Sequence, residues 1–159
     1  MRRIKNSIAL VCLTLLAVGL MMSCSKMKVG YLRTAGASFA PDSINVFHNI
    51  DPTSDRYIEQ QPFVSTSIQG VAGTNPVNFE LASVKADTPA AGELFMKLYK
   101  EGEISVVGGK VIVSLKATQQ LTNGHYLLTL KVYNEDHEAL LKDIFKVVVT
   151  DDELPIYYS

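Results

Sequence analysis

The side chains of this 159-residue sequence that could do chemistry are three histidines, a few neighbouring carboxylates, two cysteines and seven tyrosines. His48, His125 and His137 stand in unrelated contexts, without the paired spacing that a zinc site needs. Glu101 and Glu103 could serve glycoside hydrolysis only if the fold held their carboxyls about 5–9.5 Å apart; a solvated pair is the simpler reading. No Gly-x-Ser-x-Gly nucleophile elbow and no Gly-rich phosphate loop occurs. Asp151-Asp152-Glu153 is a weak calcium candidate. Calcium takes six to eight oxygens, so Asp51 and Asp55 would have to approach from another loop, and a solvated acidic exit is the simpler reading. These residue types point to no enzyme, no resident metal and no cofactor. Sugar binding asks for a flat apolar platform ringed by polar groups. With no Trp in the chain, the candidates for that platform are Tyr57, Tyr133, Tyr157 and Tyr158; the competing role for an aromatic such as Tyr133 is to cover the rim of a core.

The cysteines do their chemistry at the amino terminus. Arg2, Arg3 and Lys5 precede an apolar stretch whose core, Ile8 to Met22, is 15 residues long. A spanning helix needs roughly 18 or more, whereas positive charge, apolar core and small residue in succession describe a secretory signal peptide. Met21-Met22-Ser23-Cys24 resembles a lipobox, with the two methionines departing from its usual aliphatic-then-small pattern. Residues 1–23 are therefore expected to be a cleaved lipoprotein signal and Cys24 the lipidated residue. Cys12 would leave with the signal, so no internal disulfide can form, and acylation accounts for the single remaining cysteine. Anchoring by two or more acyl chains is stable. The signal holds three of the 15 basic residues and none of the 16 acidic ones, so the 136 residues that remain carry a net charge of −4. A nucleic-acid partner would want a clustered basic surface instead.

The elements that must position these side chains read as strands. Residues 24–40 form the lipidated cysteine and a tether or lead strand, 41–151 one domain and 152–159 a tail. Ser43–Phe47, Phe63–Gln69, Val77–Val84, Glu103–Val107, Lys110–Leu115, Tyr126–Tyr133 and Lys142–Thr150 are the expected strands. Tyr126, Leu128, Leu130 and Val132 alternate onto one face, with Tyr133 on the other, and Gly108-Gly109 permits a tight hairpin. Leu94, Phe95, Leu98 and Tyr99 recur at helical spacing, but Gly92 and Gly102 confine them to a single turn or a loop plug. Leu121-Thr122-Asn123-Gly124-His125-Tyr126 resembles a tyrosine corner, in which the phenol of Tyr126, two residues after Gly124, bonds back to upstream backbone; the alternative is an ordinary hairpin with an aromatic core residue. The fold class is thus all-β: an immunoglobulin-like antiparallel β-sandwich of about seven strands without a disulfide.

Gly30-Tyr31-Leu32, Pro41-Asp42-Ser43, Ile68-Gln69-Gly70-Val71 and Lys131-Val132-Tyr133-Asn134-Glu135 resemble a group of uncharacterised Bacteroidota outer-membrane lipoproteins. These carry an immunoglobulin-like or cadherin-like module and are associated with glycan-uptake systems. The resemblance spans nearly all of the chain after Cys24 and implies fold and address more than activity. It implies a cell-envelope, outer-membrane lipoprotein held by its N-terminal lipid. Surface export in that phylum follows an acidic run after the lipidated cysteine, and here the run is Ser25-Lys26-Met27-Lys28, so both the surface and the periplasmic face stay open. The expected function is a non-catalytic membrane-anchored module, in one reading a glycan-binding accessory protein and in the alternative a structural or adhesin-like spacer contacting only protein partners.

Overall fold

Successive side chains of a strand point to opposite faces of its sheet, so the alternation after Gly124 commits one face to a core. The computed structural model describes residues 30–154. In it Tyr126, Leu128, Leu130 and Val132 are all buried, while Leu127, Lys131 and Tyr133 are half-buried. Among the described residues their strand belongs to a series of nine with three helices: β1 (Leu32–Arg33), β2 (Ser43–Phe47), α1 (Asp55–Ile58), β3 (Phe63–Val64), β4 (Ala72–Gly73), β5 (Asn78–Ala86), α2 (Pro89–Lys100), β6 (Ile104–Val107), β7 (Lys110–Val113), α3 (Leu115–Thr118), β8 (Gly124–Tyr133) and β9 (Glu138–Thr150).

A four-stranded sheet has the order β2-β9-β8-β5, a three-stranded sheet the order β3-β7-β6, and β1 pairs with β4. All pairings are antiparallel except that of β2 with β9, which runs parallel from Ser43↔Lys146 to Phe47↔Thr150. The β6–β7 hairpin turns through Gly108 and Gly109 at φ 56° and 74°, the left-handed pair that a two-residue turn matched to strand twist requires. Val46, Leu81, Leu128, Phe145 and Val147 from the larger sheet share one hydrophobic cluster with Phe63, Ile104, Val111 and Val113 from the smaller. Phe47 and Phe63 meet edge to face across the two sheets, centroids 5.1 Å apart. The fold is therefore mostly β, in several sheets with no barrel among the described residues.

The structure differs from the sequence expectation in the segment after β5. Helix α2 runs for 12 residues, not one turn. The Thr88 hydroxyl accepts from Ala91 N at 3.3 Å, Pro89 occupies the first turn, and Ala91, Gly92, Phe95 and Leu98 make one buried stripe. Gly92 does not break the helix because it lies on that stripe, facing Val84 and Ala86 of β5. The break comes at Gly102, with φ 82°. The expected strand over Phe63–Gln69 keeps only Phe63 and Val64; its far end, Gln69, bridges to Ser38 instead. Phe39, counted with the tether, is buried and its ring lies 4.5 Å from that of Phe145.

The larger sheet gathers different residues at its two ends. The chain enters at one, where Asn134 donates to the Tyr31 carbonyl at 2.9 Å and the His137 ring meets the Gly30 carbonyl at 3.1 Å. The other end gathers His48, Leu121, Asn123 and Asp151. Strand β8 connects them with ten residues, about 30 Å at the usual rise of a strand.

Candidate binding site

Between β2 and β3 the chain leaves the sheets and is folded by its own short-range bonds. The Asp51 carboxylate accepts from Thr53 N at 2.8 Å and Thr53 Oγ1 at 2.7 Å, and those bonds hold its carboxyl below the usual range. Ser54 caps α1 by accepting from Tyr57 N at 3.3 Å, as an N-cap hydroxyl should. Gln60 adopts a left-handed φ of 53° and donates its amide to the Tyr57 carbonyl at 2.7 Å. The Arg56 guanidinium lies 4.2 Å from the centre of the Phe63 ring and donates to Pro62 O at 3.0 Å. This excursion buries none of the α1 residues and presents Tyr57, 47% exposed, at the surface.

Tyr57 forms one wall of a groove of about 370 Å³ whose other sides come from His48, Ile50, Gln60, Lys116 and Gln119. The polar groups there are fixed. Gln119 donates to the His48 carbonyl at 3.0 Å, and the His48 ring spans the Leu121 carbonyl at 3.0 Å and Asp151 Oδ1 at 3.3 Å. Lys116 is held by Glu103, whose carboxylate also accepts from Ser114 Oγ at 2.7 Å. An aromatic face beside oriented amides and a cation can cover an apolar C–H surface while bonding hydroxyls around it.

Tyr133 lies at the other end, in register with Asn78 and Glu138, half-buried and with the Lys131 ammonium 5.3 Å from its ring centre. Tyr57 and Tyr133 therefore do not make a common platform. Tyr157, Tyr158 and Cys24 fall outside the described residues. Tyr126 is 1% exposed and its hydroxyl donates to the Thr122 carbonyl at 2.8 Å. Gly124 has φ 147°, and a Cβ there would sit 2.6 Å from Asp87 Oδ2, the atom that accepts from His125 N at 2.9 Å.

Two acids of the calcium candidate, Asp151 and Asp152, are engaged by neighbouring donors. Asp151 accepts from Asn123 Nδ2 at 2.9 Å and faces His48, which together lower its carboxyl pKa. Asp152 accepts from Asn49 Nδ2 at 2.8 Å, and Glu153 is exposed. Among the described residues no group of three or more His, Cys, Asp or Glu side chains is placed to hold a metal ion. Glu101 and Glu103 bond separately, Glu101 to Lys97 at 3.7 Å and Glu103 to the Ser114–Lys116 side.

Gln60, Lys116 and Gln119 were not legible as site residues. They come from segments far apart in sequence, and the local signal at Tyr57 was only its exposed, turn-like setting. Comparison with known proteins returns no matching family model, no matching curated protein and no matching solved structure.

Proposed function

We propose that this chain is a non-catalytic, lipid-anchored immunoglobulin-like module of the outer membrane that binds glycan at the end of the domain away from its anchor. The groove around Tyr57 carries the reading, because it combines an exposed aromatic ring with oriented amides at the end opposite the chain's point of entry.

Three features support the immunoglobulin-like assignment. β9-β8-β5 and β3-β7-β6 parallel the CFG and BED strands of such domains, and the Tyr126 bond has the form of their tyrosine corner. The lead strand β2 departs from the constant-type arrangement by joining the CFG-like sheet. Lipid on Cys24 would place the entry end of the sheet toward the membrane and the Tyr57 groove outward, where a polysaccharide can reach it.

A glycan-array screen of the full chain in detergent, beside Tyr57→Ala, tests the ligand class. Spots bound by the wild type and lost in Tyr57→Ala support the reading. An empty array together with a membrane protein that co-purifies would replace it with the spacer. The anchor is tested separately by metabolic labelling with a fatty-acid analogue, where Cys24→Ser should lose the label. Equal labelling of the two proteins would remove the lipid from the account.

A further inference from the structure

Among the described residues that line the Tyr57 groove, Lys116 is the only permanent cation, and its charge is already answered. It bonds Glu103, whose carboxylate also accepts from Ser114 Oγ at 2.7 Å. The bond to Glu103 holds the Lys116 ammonium above its ordinary pKa, and Lys116 first and Ser114 second hold the Glu103 carboxyl below its own. The Glu103 side chain is 21% exposed against 71% for Lys116, so the sheltered carboxylate fixes where the ammonium sits. Glu101 adds a second negative charge to the field at Lys116.

The other polar groups of the lining are uncharged amides and a phenol. Gln60 uses one amide N–H on the Tyr57 carbonyl at 2.7 Å, and Gln119 uses one on the His48 carbonyl at 3.0 Å. Each amide has a second N–H and an oxygen for a ligand, and Tyr57 adds a hydroxyl. The His48 ring faces Asp151 Oδ1 at 3.3 Å, so a positive charge on it would meet a carboxylate of the protein before one of a ligand. Around the groove the sign is negative. Residues 51–61 carry Asp51, Asp55 and Glu59 against Arg56, whose guanidinium lies over the Phe63 ring, and residues 30–154 hold 10 basic and 16 acidic side chains.

Resting on the glycan reading of this groove, we propose that its ligands are uncharged saccharides and that Glu103 sets this preference by neutralising Lys116. A sugar hydroxyl both donates and accepts, so it can satisfy an amide N–H, an amide oxygen and a phenol alike, whereas a carboxylate only accepts. An anionic sugar would set its charge against the oxygens of Gln60 and Gln119 and would compete with Glu103 for Lys116. It would also approach through a negative field. Specificity is a difference of affinities, and here the difference comes from what the groove withholds from an anion. Glu103 is not among the residues that line the groove; it acts through Lys116 as a positioning residue.

The test uses the full chain in detergent, an array of neutral and acidic glycans, and calorimetry with matched β-linked oligosaccharides: glucan against glucuronan and mannan against mannuronan. Array spots that depend on Tyr57 should be neutral. In a matched pair the wild type should bind the neutral member at least about tenfold more tightly, with little dependence on salt. Glu103→Gln frees the Lys116 ammonium and should close most of that gap by strengthening the acidic member at low salt. Adding Lys116→Gln should open the gap again, which a loss of shape alone would not do. Tyr57-dependent binding of acidic glycans as tight as neutral ones would overturn the inference and leave the glycan reading in place. A gap that Glu103→Gln leaves untouched would overturn the role of Glu103. An empty array with no binding in either pair would remove the glycan reading and this inference with it. The wild-type gap is measured on the intact protein, so it decides the ligand class even where a variant fails to fold.

Discussion

The Tyr126 hydroxyl and the Glu103 carboxylate each hold one turn, and each can be removed without changing side-chain volume much. Tyr126 packs against Phe95 with ring centroids 5.1 Å apart while its hydroxyl reaches Thr122 O at 2.8 Å and lies 3.0 Å from Thr122 Oγ1. Tyr126→Phe keeps the ring and loses the bond. Thr122 is exposed, so water can take up its carbonyl, and the expected cost is about 1 kcal/mol, read as a lower chemical-denaturation midpoint. An unchanged midpoint would mean that the hydroxyl does not hold the corner. Glu103 is held below its ordinary pKa by Lys116 first and Ser114 second. A carboxyl depressed in the folded state stabilises the fold above its unfolded pKa, about 4.3, and that contribution disappears as pH falls through the lower folded value. The stability gap between wild type and Glu103→Gln should therefore be open at neutral pH and close in acid. A gap independent of pH would show that the carboxylate contributes shape rather than charge. At this scale the exposed, turn-like setting of Tyr57 and the backbone bond of Tyr126 were legible in the sequence. It had no means of marking Gln60 and Gln119, which come to line one groove only in the folded chain.

Among the elements, α2 ties β5 to the interior. Phe95 and Leu98 are fully buried, and truncating Phe95 to Ala should cost about 3–5 kcal/mol because it opens a cavity under the Tyr126 ring. Thr88→Ala should cost about 1 kcal/mol by removing the helix cap. Thermal unfolding of both variants checks the ranking, and a Thr88 effect larger than the Phe95 effect would contradict the packing described. Strands whose side chains alternate cleanly were legible from sequence alone: β2 was read at Ser43–Phe47, as observed, and β5, β6 and β8 within two residues. The hairpin at Gly108-Gly109 was legible because only glycine occupies successive left-handed positions at no steric cost. The length of α2 was hidden because Gly92 reads as a breaker in sequence and acts as a close-packing residue in the fold. The parallel pairing of β2 with β9 was hidden as well, since alternation within a strand carries no information about the direction of its neighbour.

The molecule as a whole is polar in the geometric sense. Chain entry at Gly30 and Tyr31 lies beside the β8–β9 turn, and the Tyr57 groove lies beyond the opposite end of β8. A lipid on Cys24, six residues before Gly30, would hold the entry end within about 20 Å of the bilayer surface and point the groove away. In that proposed arrangement Tyr133 would lie on the membrane side, where a long polysaccharide would reach it last. Calorimetric titration of the full chain with a panel of plant and host polysaccharides, using wild type, Tyr57→Ala and Tyr133→Ala, tests whether the Tyr57 groove binds glycan. A platform without tryptophan should give a modest dissociation constant of about 0.1–1 mM. Tyr57→Ala should weaken binding by about tenfold or more, while Tyr133→Ala should leave it unchanged. Binding that survives in Tyr57→Ala, or that is lost only in Tyr133→Ala, would contradict a glycan site at the far end of the domain.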